Sequence, residues 1–217
     1  MKKLKKDDAV LNVVPFVFCV MALIITLTFF VIENSIVLFR RNQIEDAITI
    51  SNLSTLVIDK TEYYNSATEL LPYLTQTEVK EEAALYINPD IAYTTFKTCF
   101  VSNLNLINDG TDWKISGIEN IINIRIDDFI VYNVIPYIEN GLLKHKVQVY
   151  RYAQSGLISV NEITSGTVQT PDGKIILENG EKKSESCSYA NIKFRIKTTF
   201  NNYSEQAHDS VVELKRN

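Results

Sequence analysis

No charged side chain occurs between Ala9 and Ile32, and only Asn12, Thr26 and Thr28 interrupt the stretch with strong polarity. Its 24 residues would form a helix of about 36 Å, enough to cross a hydrocarbon core of about 30 Å with some tilt. A cleavable secretory signal is shorter, with an apolar region of about 7 to 15 residues and small residues at its cleavage site. VIENSIVLF, residues 31 to 39, offers no small-x-small pattern. Lys2, Lys3, Lys5 and Lys6 crowd one flank, a feature that the buried helix of a soluble domain has no reason to carry. The stretch reads as a permanent single-pass anchor in the lipid bilayer. The positive-inside rule then puts the leader, residues 1 to 8, in the cytoplasm and everything beyond residue 32 outside. Arg40 and Arg41 pull the other way but are outnumbered. Pro15, near the start of the span, is compatible with a helix there, because neighbouring groups can re-satisfy the carbonyl it frees.

The segment after the span is amphipathic. Nothing between Pro15 and Pro72 forces the chain out of a helix, so one rod is predicted from residue 9 to about 60, roughly 78 Å long, with residues 33 to 60 outside the membrane. On a helical wheel, Ile44, Ala47, Ile48, Ser51, Thr55 and Ile58 share one side and Ile50, Leu53 and Val57 widen it. Arg41, Asn42, Glu45, Thr49, Asn52 and Asp59 gather on the remaining arc, and Leu56 is an exception. A helix that only bridges water would be polar all round. Ile44, Ala47, Ile48, Ile50, Leu53 and Val57 are therefore predicted to pack the helix onto a head formed by residues 61 to 217, with any leftover arc facing sister helices.

All seven glycines lie in the second half of the chain, beginning at Gly110. Before them, Phe96, Cys99, Phe100, Asn103, Leu104 and Ile107 repeat at three and four, and Pro89 and Asp90 suit a first turn, predicting a second helix. A shorter helix is predicted over 78 to 86. Beyond Gly110 the runs 122 to 135, 143 to 152, 157 to 163 and 188 to 200 are rich in β-branched and aromatic residues and read as strands. In the last run Ala190, Ile192, Phe194 and Ile196 alternate with Asn191, Lys193, Arg195 and Lys197, as in a sheet covered on one face. TPDG at 170 to 173, ENG at 139 to 141 and FNNYS at 200 to 204 read as turns. Helices followed by antiparallel strands imply an α+β fold.

The chemistry-bearing residues do not assemble into a reaction centre. The formal charge of −4 becomes −6 once the net +2 of the first eight residues is set aside, which argues against nucleic acid as a partner. His145 and His208 have no Cys or carboxylate at metal-ligand spacing. NDGTD at 108 to 112 lacks the closing glutamate of a calcium loop. Asp127 and Asp128 are adjacent in a strand and would face opposite ways, a poor acid–base pair. No phosphate-cradling glycine loop or nucleophile elbow is present, so no cofactor, metal or enzymatic activity is expected. Cys19 reads as an apolar filler in the span. Cys99 and Cys187 would both lie outside the cytoplasm, where a bridge is permitted; a disulfide and two buried thiols are both open readings.

NVVPF at 12 to 16, RNQIEDAITISNLSTLVID at 41 to 59 and the segment from VQTPDGKII to SYANIKFRI at 168 to 196 resemble the pilin-like, TadE-like membrane proteins of tight-adherence (Tad/Flp) pilus systems of Gram-positive bacteria. The resemblance implies a lollipop-shaped minor pilin: a long helix anchored in the cytoplasmic membrane, carrying an α+β head. Its implied partners are other pilin-like subunits and the membrane platform that assembles the pilus. It also implies that Asn12, Pro15, Phe16 and Glu33 serve the anchor and assembly. The chain lacks the glycine before the processing site and the early glutamate of major pilins; its first glutamate is Glu33. The competing class of function is a single-span receptor or adhesion module whose head binds a ligand or an envelope component.

Overall fold

A computed structural model describes residues 6 to 177, 185 to 197 and 202 to 216, with side chains from residue 13 onward. Helix α1, Lys6–Leu53, is a single element with Pro15 inside it. It stops about seven residues short of the sequence expectation, and hydroxyl chemistry explains why. Ser54 donates its hydroxyl to the Ser51 carbonyl at 2.6 Å, and Thr55 donates to the Asn52 carbonyl at 2.7 Å. Those bonds compete with helix continuation, and the turn tightens as the Thr55 and Leu56 amides bond three residues back. A separate helix, α2, Lys60–Leu70, then starts at Asp59, whose carboxylate accepts from the Thr61 and Glu62 amides. α3, Gln76–Glu82, opens on a capping box between Thr75 and Glu78, two residues before the predicted start. α4, Pro89–Leu104, is capped by the Asn88 side chain and ends with Asn105 in the left-handed region.

The strands are β1 (Leu106–Asp109), β2 (Asp112–Ile115), β3 (Ile121–Glu139), β4 (Leu142–Ala153), β5 (Gly156–Ile163), β6 (Val168–Gln169), β7 (Ile175–Leu177), β8 (Cys187–Lys197) and β9 (Tyr203–Glu213). All pair antiparallel. The main sheet runs β9-β8-β3-β4-β5, the β1–β2 hairpin joins β3 where Trp113 faces Ile124, and β6 and β7 form a separate hairpin. The fold class is α+β, as expected. ENG is the two-residue hairpin between β3 and β4, with Asn140 and Gly141 at φ of 54° and 75°, the geometry that matches strand twist. TPDG closes β6 to β7 through the Gly173 amide on the Thr170 carbonyl at 2.8 Å. FNNYS lies partly outside the described residues.

The middle of β3 is buried on both faces. Phe129 and Val131 point toward α1 and α4 and share that core with Ile44, Ile48, Phe96, Phe100 and Phe194; the rings of Phe96 and Phe129 stack at 5.0 Å. Ile130, Tyr132 and Val134 point the other way, under Val168, Ile176 and Leu177 of the β6–β7 hairpin. The predicted alternation in β8 holds: Ala190, Ile192, Phe194 and Ile196 are buried against the helices.

Candidate functional site

The candidate geometry in this chain is the passage of α1 from an exposed apolar rod into the core. One helix is long and apolar enough to cross a membrane, and its most apolar stretch is wholly unburied by the rest of the chain. Phe16 and Glu33 are both exposed there, Pro15 lies within the helix, and the side chain of Asn12 falls outside the described ones. Asn12, Pro15 and Phe16 fall within about one turn of the helix backbone, and Glu33 lies about 26 Å farther along the rod. The hydroxyls that would otherwise be costly in lipid are satisfied locally. Thr26 donates to the Ala22 carbonyl and Thr28 to the Ile24 carbonyl, both at 2.8 Å, so neither hydroxyl has to seek a partner in hydrocarbon.

Farther along α1, Ile44, Ala47 and Ile48 are buried in the helix-side core, as predicted. Ile50, Leu53 and Val57 are not: they are 58, 52 and 63 % exposed, correcting their assignment to helix–head packing. The reason is geometric. The face that meets the sheet runs through Ile44, Ile48, Ser51, Asn52 and Thr55, and it is polar where it reaches β8 and β9. Asn52, placed on the polar arc by the wheel, is fully buried. Its amide donates to the Ser210 carbonyl at 2.8 Å and the Ser188 carbonyl at 3.3 Å, while the Ser188 hydroxyl donates back to its Oδ1 at 2.7 Å. Thr55 Oγ1 lies 2.8 Å from Ser188 Oγ. Ser51 accepts from the Asn103 side chain of α4 at 3.2 Å. A buried polar group is tolerated when bonded in this way.

Arg41 marks the lower contact between rod and sheet. Its Nε donates to His208 Nε2 of β9 at 2.9 Å, and the imidazole stacks on Phe194 at 5.6 Å. Partial burial, with the nearby Arg41 guanidinium, pushes the His208 pKa below its ordinary value. His145 of β4 is buried and sits 3.1 Å from the Glu82 carboxylate of α3, a long-range neighbour that spacing along the chain could not reveal. Asp128 takes a two-pronged bond from Arg151 at 2.7 and 2.5 Å, and Asp127 pairs with Lys193 at 2.9 Å, so each carboxylate is engaged with its own cation. NDGTD is the turn of the β1–β2 hairpin, where Asn108 accepts from the Trp113 indole at 3.1 Å.

Of the two open readings for the candidate disulfide, the structure has free thiols at Cys99 and Cys187, with Cys187 buried and Cys99 half-buried. Cys99 belongs to α4, on the helix side of the sheet, while Cys187 packs with Tyr132 and Leu177 on the other side. Burial pushes the Cys187 thiol up and keeps it protonated, the state of an inert structural cysteine. Among the described residues no three His, Cys, Asp or Glu side chains gather as a metal set. No protein-family model, curated protein or solved structure matches the chain.

Proposed function

We propose that this chain is a pilin-like, TadE-like subunit, a lollipop of membrane helix and α+β head that acts without catalysis in a tight-adherence pilus or related secretion machinery. Its partners in this reading are other pilin-like subunits and the membrane assembly platform. The observation that carries it is the continuity of α1. The same helix that is apolar and unburied at Phe16 to Ile32 enters the core at Ile44 to Ile48 and is hydrogen-bonded to the sheet at Asn52. Movement of the rod in the membrane is thereby tied to the head, as a subunit that packs by its stalk requires. A second support is the set of exposed apolar side chains near the top of the rod, Ile50 and Leu53 on α1 and Val57 with Ile91 lining one groove. Apolar side chains left open in this way suit a protein contact.

The alternative, a stalked receptor, needs the helix only as a tether. Cross-linking in native membranes separates the two. A chain with its three cysteines replaced and Leu53→Cys introduced is treated with a short bifunctional maleimide. The expected product joins it to a second copy, or to another single-span chain of helix-plus-head form. A monomer alone, both at Leu53→Cys and at Ile24→Cys in the span, would favour the receptor reading.

A further inference from the structure

The two contacts between α1 and the sheet fix which end of the head faces the bilayer. Asn52 meets Ser188 and Ser210, whereas Arg41, nearer the span, meets His208. His208 is paired with Ile192, so descending α1 toward the membrane means ascending β8 and descending β9. The remaining stretch, to Lys197 and its partner Tyr203, is about 16 Å of strand. Allowing for the diagonal crossing of helix and strand, it ends level with roughly Phe30 to Asn34 of α1, which is where the charge-free segment ends.

That end of the sheet is cationic on the face turned away from α1. Arg125 pairs with Lys193, Arg195 with Glu205 and Lys197 with Tyr203 in the strand register, so all six side chains share one face. Four are cations. The acids beside them are Glu205, 4.0 Å from Arg125, Asp127, on Lys193, and Asp209, one step farther from that end opposite Asn191, so the two cations nearest the end, Arg195 and Lys197, are the ones with no ion pair among the described residues. Arg125, Lys193, Arg195 and Tyr203 line a cleft of about 390 Å³. The Arg195 guanidinium lies 5.5 Å from the Tyr203 ring, which holds its flat donor fork in place. A neighbouring groove at β1 and β2 contains Asp109, Lys114 and Glu119 and is acidic on balance, so the attraction is local to the β8–β9 face.

We infer that this face docks on anionic lipid headgroups of the leaflet beside the head, with Arg195 and Lys197 contacting lipid phosphates and Tyr203 at the headgroup level. Guanidinium matches phosphate geometry, tyrosine favours the interface, and each cation near a charged leaflet adds attraction. The inference rests on α1 spanning a membrane and is independent of the head's role in assembly and of which side the head occupies.

The test uses the full chain, reconstituted alone in vesicles of equal phosphatidylglycerol and phosphatidylcholine and extracted with its surrounding lipid in polymer nanodiscs. Lipids are then counted by mass spectrometry. Phosphatidylglycerol should be enriched around the parent, and an Arg195→Glu/Lys197→Glu variant should lower that enrichment on the order of two-fold. Lys60→Glu/Lys80→Glu, the same charge change at the far end, should leave it unchanged. Arg195→Gln/Lys197→Gln, the gentler pair, should fall between and serves if the glutamates impair folding. Excess inorganic phosphate should not displace the lipid. Equal enrichment in all variants, or loss to free phosphate, overturns the inference. Failure of the parent to float with the vesicles overturns the anchor itself and is seen before any lipid is counted.

Discussion

Asn52 shows how one side chain decides where a long helix stops being a stalk. It offers two donors and an acceptor to groups on two neighbouring strands, and removing it takes a partner from the buried Ser188. An Asn52→Ala variant is expected to lose about 1 to 3 kcal/mol, or on the order of 5 °C in melting temperature for a head of this size. Thermal melts of the full chain in nanodiscs measure it; a melt matching the parent would mean the joint is not a stabilising contact. His208 makes a separate prediction in pH. Its folded pKa is lowered by burial and by Arg41, so the native state excludes a proton that the unfolded chain binds at its ordinary value of about 6.5. The stability from neutral His208 is complete above that value and is lost as pH falls through it toward the lower folded pKa. Urea titrations across this window should give a slope for the parent that His208→Gln flattens, with Glu45 and Asp209, the acids that act on the ring, left in place. An identical slope in both would remove His208 from the account.

At the scale of elements, what was legible in the sequence was what repeats. The alternation from Ala190 to Lys197 in β8 and the Asn-Gly and Pro-Asp-Gly turns carry their geometry in local order and are found where expected, whereas the three-and-four repeat of α4 holds only to Leu104: Ile107, counted in it, lies in β1 and is exposed. Less was legible where tertiary partners decide. A helical wheel defines an apolar arc but not which part of it meets the sheet, so Ile50, Leu53 and Val57 were grouped with Ile44 and Ile48 although they face outward. Asn52 falls on the polar arc of the wheel, and nothing in its neighbourhood announces Ser188, 136 residues away. β9, YSEQAHDSVVE, escaped notice because an edge strand solvated on one side is polar. The end of α1 was hidden for a different reason: serine and threonine hydroxyls, not glycine or proline, terminate it. The corrected face gives a three-way test. Ile48→Asp buries an unpaired carboxylate and should cost several kcal/mol, a large share of the roughly 5 to 15 kcal/mol that holds a domain. Thr49→Asp and Leu53→Asp place the same charge on exposed positions and should stay within about 0.5 kcal/mol of the parent, helix propensity aside. Chemical denaturation ranks them; a loss at Leu53 comparable to that at Ile48 would return Leu53 to the packing face.

For the whole molecule, the antiparallel course of α1 and β8 ties three features to one axis: the unburied apolar rod, the cationic sheet end beside it, and the exposed apolar side chains of Ile50, Leu53, Val57 and Ile91 farther along. The flanking charges give an expectation for the side of the membrane that these features occupy. Four lysines and two aspartates precede the span and Arg40 and Arg41 follow Glu33, a contest the lysines should win because orientation counts Lys and Arg near each end and gives acids little weight. Protease added to sealed, right-side-out membrane vesicles is therefore expected to digest the head and spare the leader. Changing Lys2, Lys3, Lys5 and Lys6 to Gln removes the opposing cations and leaves the two arginines dominant, so a substantial fraction of heads should become protected. Protection of the head in the parent would reverse the orientation. Full digestion in the lysine-free variant would show that folding of the head, or its docking to partners, fixes topology in place of the flanking charges.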